Sequence, residues 1–335
     1  MNTLPNVVFL CGGHGSQILQ VWGGHVNVTV VSPTADSGGS SGELVRQYGV
    51  LPPGDMRSAL LSGIPSSSRR PIKRMFESRY KNGCLEGHAL GNLIFIDCMK
   101  RIPNPNRALD ELARIFGTHS NWHVRPATLV PIRLRSYLSD GGSTESEGEL
   151  DRRKGFAHIT EVAIDPPEVD GNPEAVDAIM NADLIVLGPT DHATSLLPIL
   201  LVRDIAHALT HTKGTVVYVA NLMTKPNETF GYTITNFLND IERYAGKIVD
   251  HVVINTGTVS SDLRRRYKEK GQHLVLPDGE IHIRDDIVVW ERDLLMRIQE
   301  GGEDTRYVRH DPYRTLEVLV EIVPELRRYV CGYDE

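Results

Sequence analysis

Cysteine is scarce and unpatterned in this 335-residue chain. The four residues, Cys11, Cys84, Cys98 and Cys331, form no Cys-x-x-Cys pair and no spacing typical of a disulfide framework. That argues against a redox dithiol or a stapled extracellular scaffold, and a reducing compartment, the cytoplasm, is expected. Long hydrophobic runs are missing too. The longest strongly apolar stretch, Leu196 to Val202, is interrupted by Pro198 and stopped by Arg203, well short of the roughly 20 residues that cross a bilayer. No basic leader with a cleavage site opens the chain. Positive charge is not in excess, with 36 basic against 43 acidic residues and a net charge of −7. Such a balance gives no general attraction to nucleic acid or anionic membrane, so any phosphate binding has to be local. No internal repeat, Ser/His/Asp order, paired catalytic carboxylates or P-loop lysine motif stands out. His207 and His211 sit at i, i+4, but without the glutamate of a metalloprotease helix they read as surface or core histidines.

What is present is ordinary globular composition, 40% hydrophobic and 24% charged, arranged as apolar strands alternating with helices. Val7 to Leu10 is a short apolar run that ends in C-G-G-H-G-S-Q at 11 to 17, the opening of a nucleotide-binding strand–turn–helix unit. The dinucleotide fingerprint fails there, because the third glycine falls on Ile18. Val26 to Val31 is a second strand, followed by A-D-S-G-G-S-S-G at 35 to 42. This Gly/Ser loop has no apolar content. At the carboxyl end of a strand it presents N–H groups and hydroxyls suited to phosphate, whereas alone it reads as a flexible linker.

L-P-P-G-D-M-R at 51 to 57 predicts a turn with Asp55 as the cap of a helix starting near Met56, or alternatively as a ligand contact. Ser66 to Lys73 reads as a basic solvated loop. Glu86 to Lys100 predicts a buried helix with Gly87, His88, Gly91 and Asn92 in its first turns. His88 there is open between a structural role and a ligand contact. Asn106 to Phe116 is an amphipathic helix. Thr128 to Leu138 and Ile159 to Ile164 suggest β structure around a polar segment, 139 to 155, expected to be solvent-exposed.

Strands at 183 to 189, 215 to 221 and 251 to 257 each run into a loop and a helix. Continuous apolar strands alternating with helices predict a parallel sheet covered on both faces. Ligands then bind at the carboxyl ends of the strands, which nominates Gly188, Asn221, Thr224 and Asn255 by position. Asp311 and Pro312 look like a cap and first residue of a last helix through Val330, and Arg309 just before them offers a guanidinium to phosphate.

Six of these stretches, in order, resemble the YvcK/CofD-like family, which includes the gluconeogenesis factor and 2-phospho-L-lactate transferase. The matched patterns are A-D-D-G-G-S-S-G-x-L at Ala35 to Leu44, L-P-P-G-D-I-R at Leu51 to Arg57 and E-G-H-S-L-G-N-L at Glu86 to Leu93. They continue with A-D-L-I-V-x-G-P-G-S-L-Y-T-S at Ala182 to Ser195, N-x-M-T-Q-P-G-E-T at Asn221 to Thr229 and R-H-D-P at Arg309 to Pro312. The resemblance is nearer the gluconeogenesis-factor branch. It implies one α/β domain over residues 1 to 335, of modified Rossmann-like type with a mostly parallel sheet and helices on both faces. It also implies a nucleotide diphosphate held by Gly12, Gly13, Gly15, Gly38, Gly39, Ser40, Ser41, Gly188, Thr194 and Ser195, with Asp55, His88, Asn92, Asn221 and Thr224 nearby. The resemblance further implies that Tyr267 and Arg309 correspond to positions that hold a UDP-sugar.

The chain departs from the pattern at Cys11, His14, Ser37 and the Asp191–His192 pair. A carboxylate beside a diphosphate is unfavourable unless a cation lies between them.

Three functions follow. One is a nucleotide-sugar-binding regulatory protein without turnover. Another is a transferase moving a phospho-linked group to a hydroxyl, with Asp36 as the catalytic residue and Mg²⁺ admitted beside Asp36 and Asp191. The last is a diverged homologue without a small ligand. The expected partner is a nucleotide or nucleotide sugar, with no nucleic-acid polymer and no membrane insertion, and a homodimer is left open.

Overall fold

The structure is a computed structural model that describes residues 4–35, 38–153, 155, 157–275, 284–296 and 307–330. Asp36 and Ser37, and with them the catalytic and metal expectation placed on Asp36, lie outside the described residues.

Among the described residues, ten strands form two sheets. They are β1 (Asn6–Leu10), β2 (Asn27–Ser32), β3 (Trp122–Pro126), β4 (Arg133–Leu138), β5 (Ser143–Thr144), β6 (Ile159–Asp165), β7 (Leu184–Leu187), β8 (Thr215–Val219), β9 (His251–Asn255) and β10 (Val288–Arg292). Seven make one sheet in the order β10-β9-β8-β7-β1-β2-β3, every pair parallel. The other three form an antiparallel sheet, β5-β4-β6.

Side chains of a strand alternate between faces, and here both faces are buried. Val7 and Phe9 belong to one apolar core, Val8 and Leu10 to the other, and β7, β8 and β9 divide in the same way. Helices Pro53–Ser62, Leu90–Arg101, Pro105–Phe116 and Pro312–Ile322 fill the first core. Helices Pro173–Met180, Arg203–His211 and Ile234–Ala245 fill the second, together with the small sheet. The fold is therefore a doubly wound α/β architecture, as the alternating pattern predicts.

Local signals explain several helix boundaries. Asn104 accepts the Arg107 N–H ahead of Pro105, and Asp311 accepts those of Tyr313 and Arg314 ahead of Pro312, as side-chain caps do. The last helix ends at Ile322 instead of running to Val330, because Pro324 starts a separate turn.

Three other expectations change. Ser66 to Lys73 is not a loop: it is the start of a helix, Ser66–Glu77, whose buried Phe76 packs 4.2 Å from the Phe116 ring. The helix predicted from Glu86 starts at Leu90, so Gly87 and His88 precede it. The Gly/Ser stretch does not stay a loop either, since Gly39–Tyr48 is helical with Gly38 at its cap. The 139 to 155 segment holds β5 and a short helix, Glu147–Arg152. Most of its side chains are exposed, yet Leu150 is buried in the second core.

Candidate functional site

Strand order reverses beside β1. From β1 the chain proceeds to β2 and β3 on one side, and β7, β8, β9 and β10 extend on the other. The turns leaving β1 and β7 meet at that point, the place where doubly wound folds bind ligands.

The two turns are bolted together. Gly12 N–H donates to the Thr190 hydroxyl at 2.9 Å, Gly13 N–H to Asp55 Oδ1 at 2.7 Å, and Gly15 N–H to the Gly12 carbonyl at 3.1 Å. Asn221 Nδ2 at the end of β8 reaches the Thr190 carbonyl at 2.7 Å. A Cβ on Gly15 would lie 2.2 Å from the Pro189 carbonyl oxygen, so only glycine fits. Gly188 has φ +69, the left-handed region.

Asp55 is not the helix cap read from the sequence. The helix starts at Pro53, which places Asp55 within its first turn, where it takes the Gly13 N–H. Its charge adds to burial in pushing the Cys11 thiol far above its ordinary value. The three N–H groups expected to hold a phosphate are thus engaged inside the protein. A phosphate oxygen at this turn would have to displace Thr190 or Asp55.

Below the turns lies a cleft of about 680 Å³. It is lined by Thr190, Asp191, Asn221, Thr224, Lys225, Glu228, Tyr267, Arg309 and His310, with Glu147 from the 139 to 155 segment. Tyr267 and Arg309 therefore come together here, with the Tyr267 hydroxyl accepting the Val308 N–H at 2.9 Å and the Arg309 guanidinium 5.3 Å from the Tyr307 ring centre. The Thr224 hydroxyl accepts the His273 N–H at 2.9 Å. Thr194 and Ser195 are buried in the turn after β7, with the Ser195 hydroxyl against Gly12. His310 is buried, its Nε2–H donates to the Ala220 carbonyl at 3.1 Å, and burial lowers its pKa to about 4. It is neutral at physiological pH. His207 and His211 stack on one another, 4.1 Å apart, on helix Arg203–His211.

Lys225 is the residue the sequence reading passed over. Its ammonium lies 3.2 Å from Glu147, 3.4 Å from Asp191 and 3.2 Å from Glu228. Glu228 is 1% exposed, accepts the Ala193 N–H at 2.9 Å, and is pushed up in pKa by burial against the opposing pull of Lys225. The carboxylate that looked unfavourable beside a diphosphate, Asp191, thus has its cation. In the family pattern quoted above, position 225 is Gln and position 191 is Ser. The two departures meet in space, and only that pairing could have drawn attention to Lys225 in the sequence. The same loop is tied to the 139 to 155 segment by Asn227 (φ +59), whose Nδ2 donates to the Arg153 carbonyl at 2.8 Å while Oδ1 accepts the Ala157 N–H at 3.3 Å.

Gly38, Gly39, Ser40, Ser41, His88 and Asn92 do not line this cleft. They gather around the start of helix Gly39–Tyr48, with Arg79 on Ser40 and Asn92 on Ser41. The sequence-predicted site is thus two neighbouring groups.

A doubly wound parallel sheet with a polar cleft at its switch point defines an α/β protein of the Rossmann-like class. A family model described as 2-phospho-L-lactate transferase CofD matches residues 7–295, and the chain belongs to that CofD-like family. It is 31% identical over 326 residues to the putative gluconeogenesis factor of Aquifex aeolicus, covering 95% of this chain and 96% of the relative. It is 29% identical over 336 residues to the gluconeogenesis factor of Bacillus subtilis, covering 97% of this chain and 100% of the relative. A solved member of the UPF0052 family from Bacillus halodurans matches with a TM-score of 0.85 at 28% identity, over 96% of this chain and 99% of that one. No single helix among the described residues is long and apolar enough to cross a membrane.

Proposed function

We propose that the protein binds a nucleotide-diphosphate sugar, of the UDP-sugar type, in the cleft at the β1/β7 switch point, and that it acts as a regulatory protein and not as a catalyst. The observation that carries this is the lining of the cleft. Arg309 and Tyr267 share it, and a guanidinium is a group that neutralises a diphosphate. Because the N–H groups of Gly12 and Gly13 are engaged by protein acceptors, the diphosphate is assigned to the Arg309 side, and the acidic Glu147–Asp191 end suits the hydroxyls of a sugar.

The test is a thermal-shift screen of UDP-, GDP- and ADP-linked sugars with and without Mg²⁺, since a ligand bound only by the native state raises apparent stability. UDP-sugars are expected to raise the melting temperature, and Arg309→Ala to weaken that binding by about tenfold, the scale of one charge-assisted contact. No shift with any of the ligands refutes the reading. The description of the matching family favours a second reading, a transferase. Transfer of a phospho-linked group from a nucleotide donor to a hydroxyl acceptor, lost in Asp36→Asn, would establish it.

A further inference from the structure

Neither His207 nor His211 lines the cleft. Both are exposed on helix Arg203–His211, and their i, i+4 spacing puts them on one face, a turn apart. The rings lie side by side, with centres 4.1 Å apart and planes 20° apart, so both side chains leave the helix in the same direction. Among the described residues no group of three or more His, Cys, Asp or Glu is placed to hold a metal ion. A site built on this pair therefore has two protein ligands, and water fills the remaining positions.

Hydrogen-bond accounting fixes the tautomer of one ring. The Thr210 hydroxyl donates its single proton to the His207 carbonyl at 2.8 Å. Toward His211 Nδ1, 2.9 Å away, that hydroxyl can then only accept. The His207 carbonyl, also 2.9 Å from Nδ1, is an acceptor too. Nδ1 therefore carries a proton, and in the neutral imidazole the lone pair lies on Nε2. A backbone carbonyl on the other ring nitrogen is the arrangement that orients metal-binding histidines and makes them better donors. Position adds a second favourable term. His211 is the last residue of its helix, where the free carbonyls and the negative end of the helix dipole attract a cation.

We propose that His207 and His211 form a chelating site for a divalent transition-metal ion of the kind that prefers imidazole: copper, nickel or zinc. Two metal–nitrogen bonds of about 2.0–2.1 Å span up to about 4 Å, on the scale of the 4.1 Å between the rings. His211 is held by its Nδ1 proton, and the exposed His207 ring turns about its Cβ–Cγ bond to aim a nitrogen at the same point. Magnesium and calcium, which favour oxygen ligands, are excluded by this donor set. The ion ties position i to position i+4 and so staples the last turn of the helix. The site is independent of the cleft and of whatever the cleft binds.

The test uses the full chain, stripped of metal with EDTA and titrated with Zn²⁺ and, separately, Cu²⁺ by calorimetry. The chain has 13 histidines, so the readout is the difference between wild type and variants and not binding alone. Wild type is expected to bind both ions saturably, Cu²⁺ more tightly than Zn²⁺. His207→Ala and His211→Ala should each weaken that binding by about tenfold or more. Both side chains are exposed, so the variants keep the fold, which an unchanged urea midpoint in EDTA verifies. Saturating Zn²⁺ should raise the melting temperature of the wild type above that of either variant. At one equivalent of Cu²⁺, electron paramagnetic resonance should report two nitrogen ligands in the wild type and fewer in each variant. Absence of saturable binding overturns the proposal, and so does binding that both variants leave intact. Loss in one variant alone means that a single histidine holds the ion without chelation, and the proposal falls.

Discussion

Replacing Lys225 by methionine tests the charge network directly. The substitution keeps most of the side-chain volume and removes the ammonium that three carboxylates share. Breaking a fully buried pair costs about 3–5 kcal/mol. Here Lys225, Glu147 and Asp191 are each about a quarter exposed while Glu228 is 1% exposed, so solvent relieves part of the loss and about 2–3 kcal/mol is expected at neutral pH. The cost should depend on pH. Glu228 already has a raised pKa from burial, and removing the opposing cation raises it further. A group whose folded pKa is raised contributes stability that is present below its unfolded value and lost as pH rises through the folded one. The deficit of Lys225→Met should therefore shrink on acidification, when Glu228 takes up a proton and no longer needs a counter-ion. Urea denaturation at neutral and mildly acidic pH, with matched m-values, measures both quantities. A deficit below about 0.5 kcal/mol that is the same at both pH values would refute the reasoning, for then the ammonium is no more than a surface charge.

Two further outcomes are expected. Gly15→Ala should destabilise the fold by about 1–3 kcal/mol, because the added carbon meets a backbone carbonyl that cannot rotate away; thermal unfolding reads it, and an unchanged melting temperature contradicts the close approach. His310 has a folded pKa of about 4 against an ordinary 6.5, so its contribution is complete above the unfolded value and is lost as pH falls between the two. That loss amounts to about 3 kcal/mol in order of magnitude, and a His310→Asn variant should lack this part of the stability–pH curve.

The sheet was legible because β1, β7, β8 and β9 are buried on both faces and read as nearly continuous apolar runs. The helix Ser66–Glu77 was not, since its first turns carry only serine and arginine and its anchors, Ile72 and Phe76, come late. The helical nature of Gly39 to Gly42 was hidden for a related reason. Glycine and serine carry no periodic apolar signal, and the first core contact of that helix is Leu44. Motif order nominated both groups of candidate residues but treated them as one, because spacing along a chain does not tell which turns share a cleft. Nor does it reveal that Thr190 and Asp55 occupy the N–H groups of Gly12 and Gly13. Lys225 and Glu147 lie 78 positions apart, and neither is notable until the fold brings them together.

The loop carrying Lys225 and Asn227 joins the cleft to the 139 to 155 segment, by an ion pair to Glu147 and by paired hydrogen bonds to Arg153 and Ala157. Binding and segment order are thereby entered in one thermodynamic cycle. A ligand that draws the Lys225 ammonium toward its own phosphate does so in competition with Glu147, and to that extent it loosens the segment. Reciprocity then requires that whatever loosens the segment tightens that ligand by the same factor. A partner that grips residues 139 to 155 from outside would be felt in the cleft without touching it, and the sign of its effect would report whether it holds Glu147 on Lys225 or pulls it away.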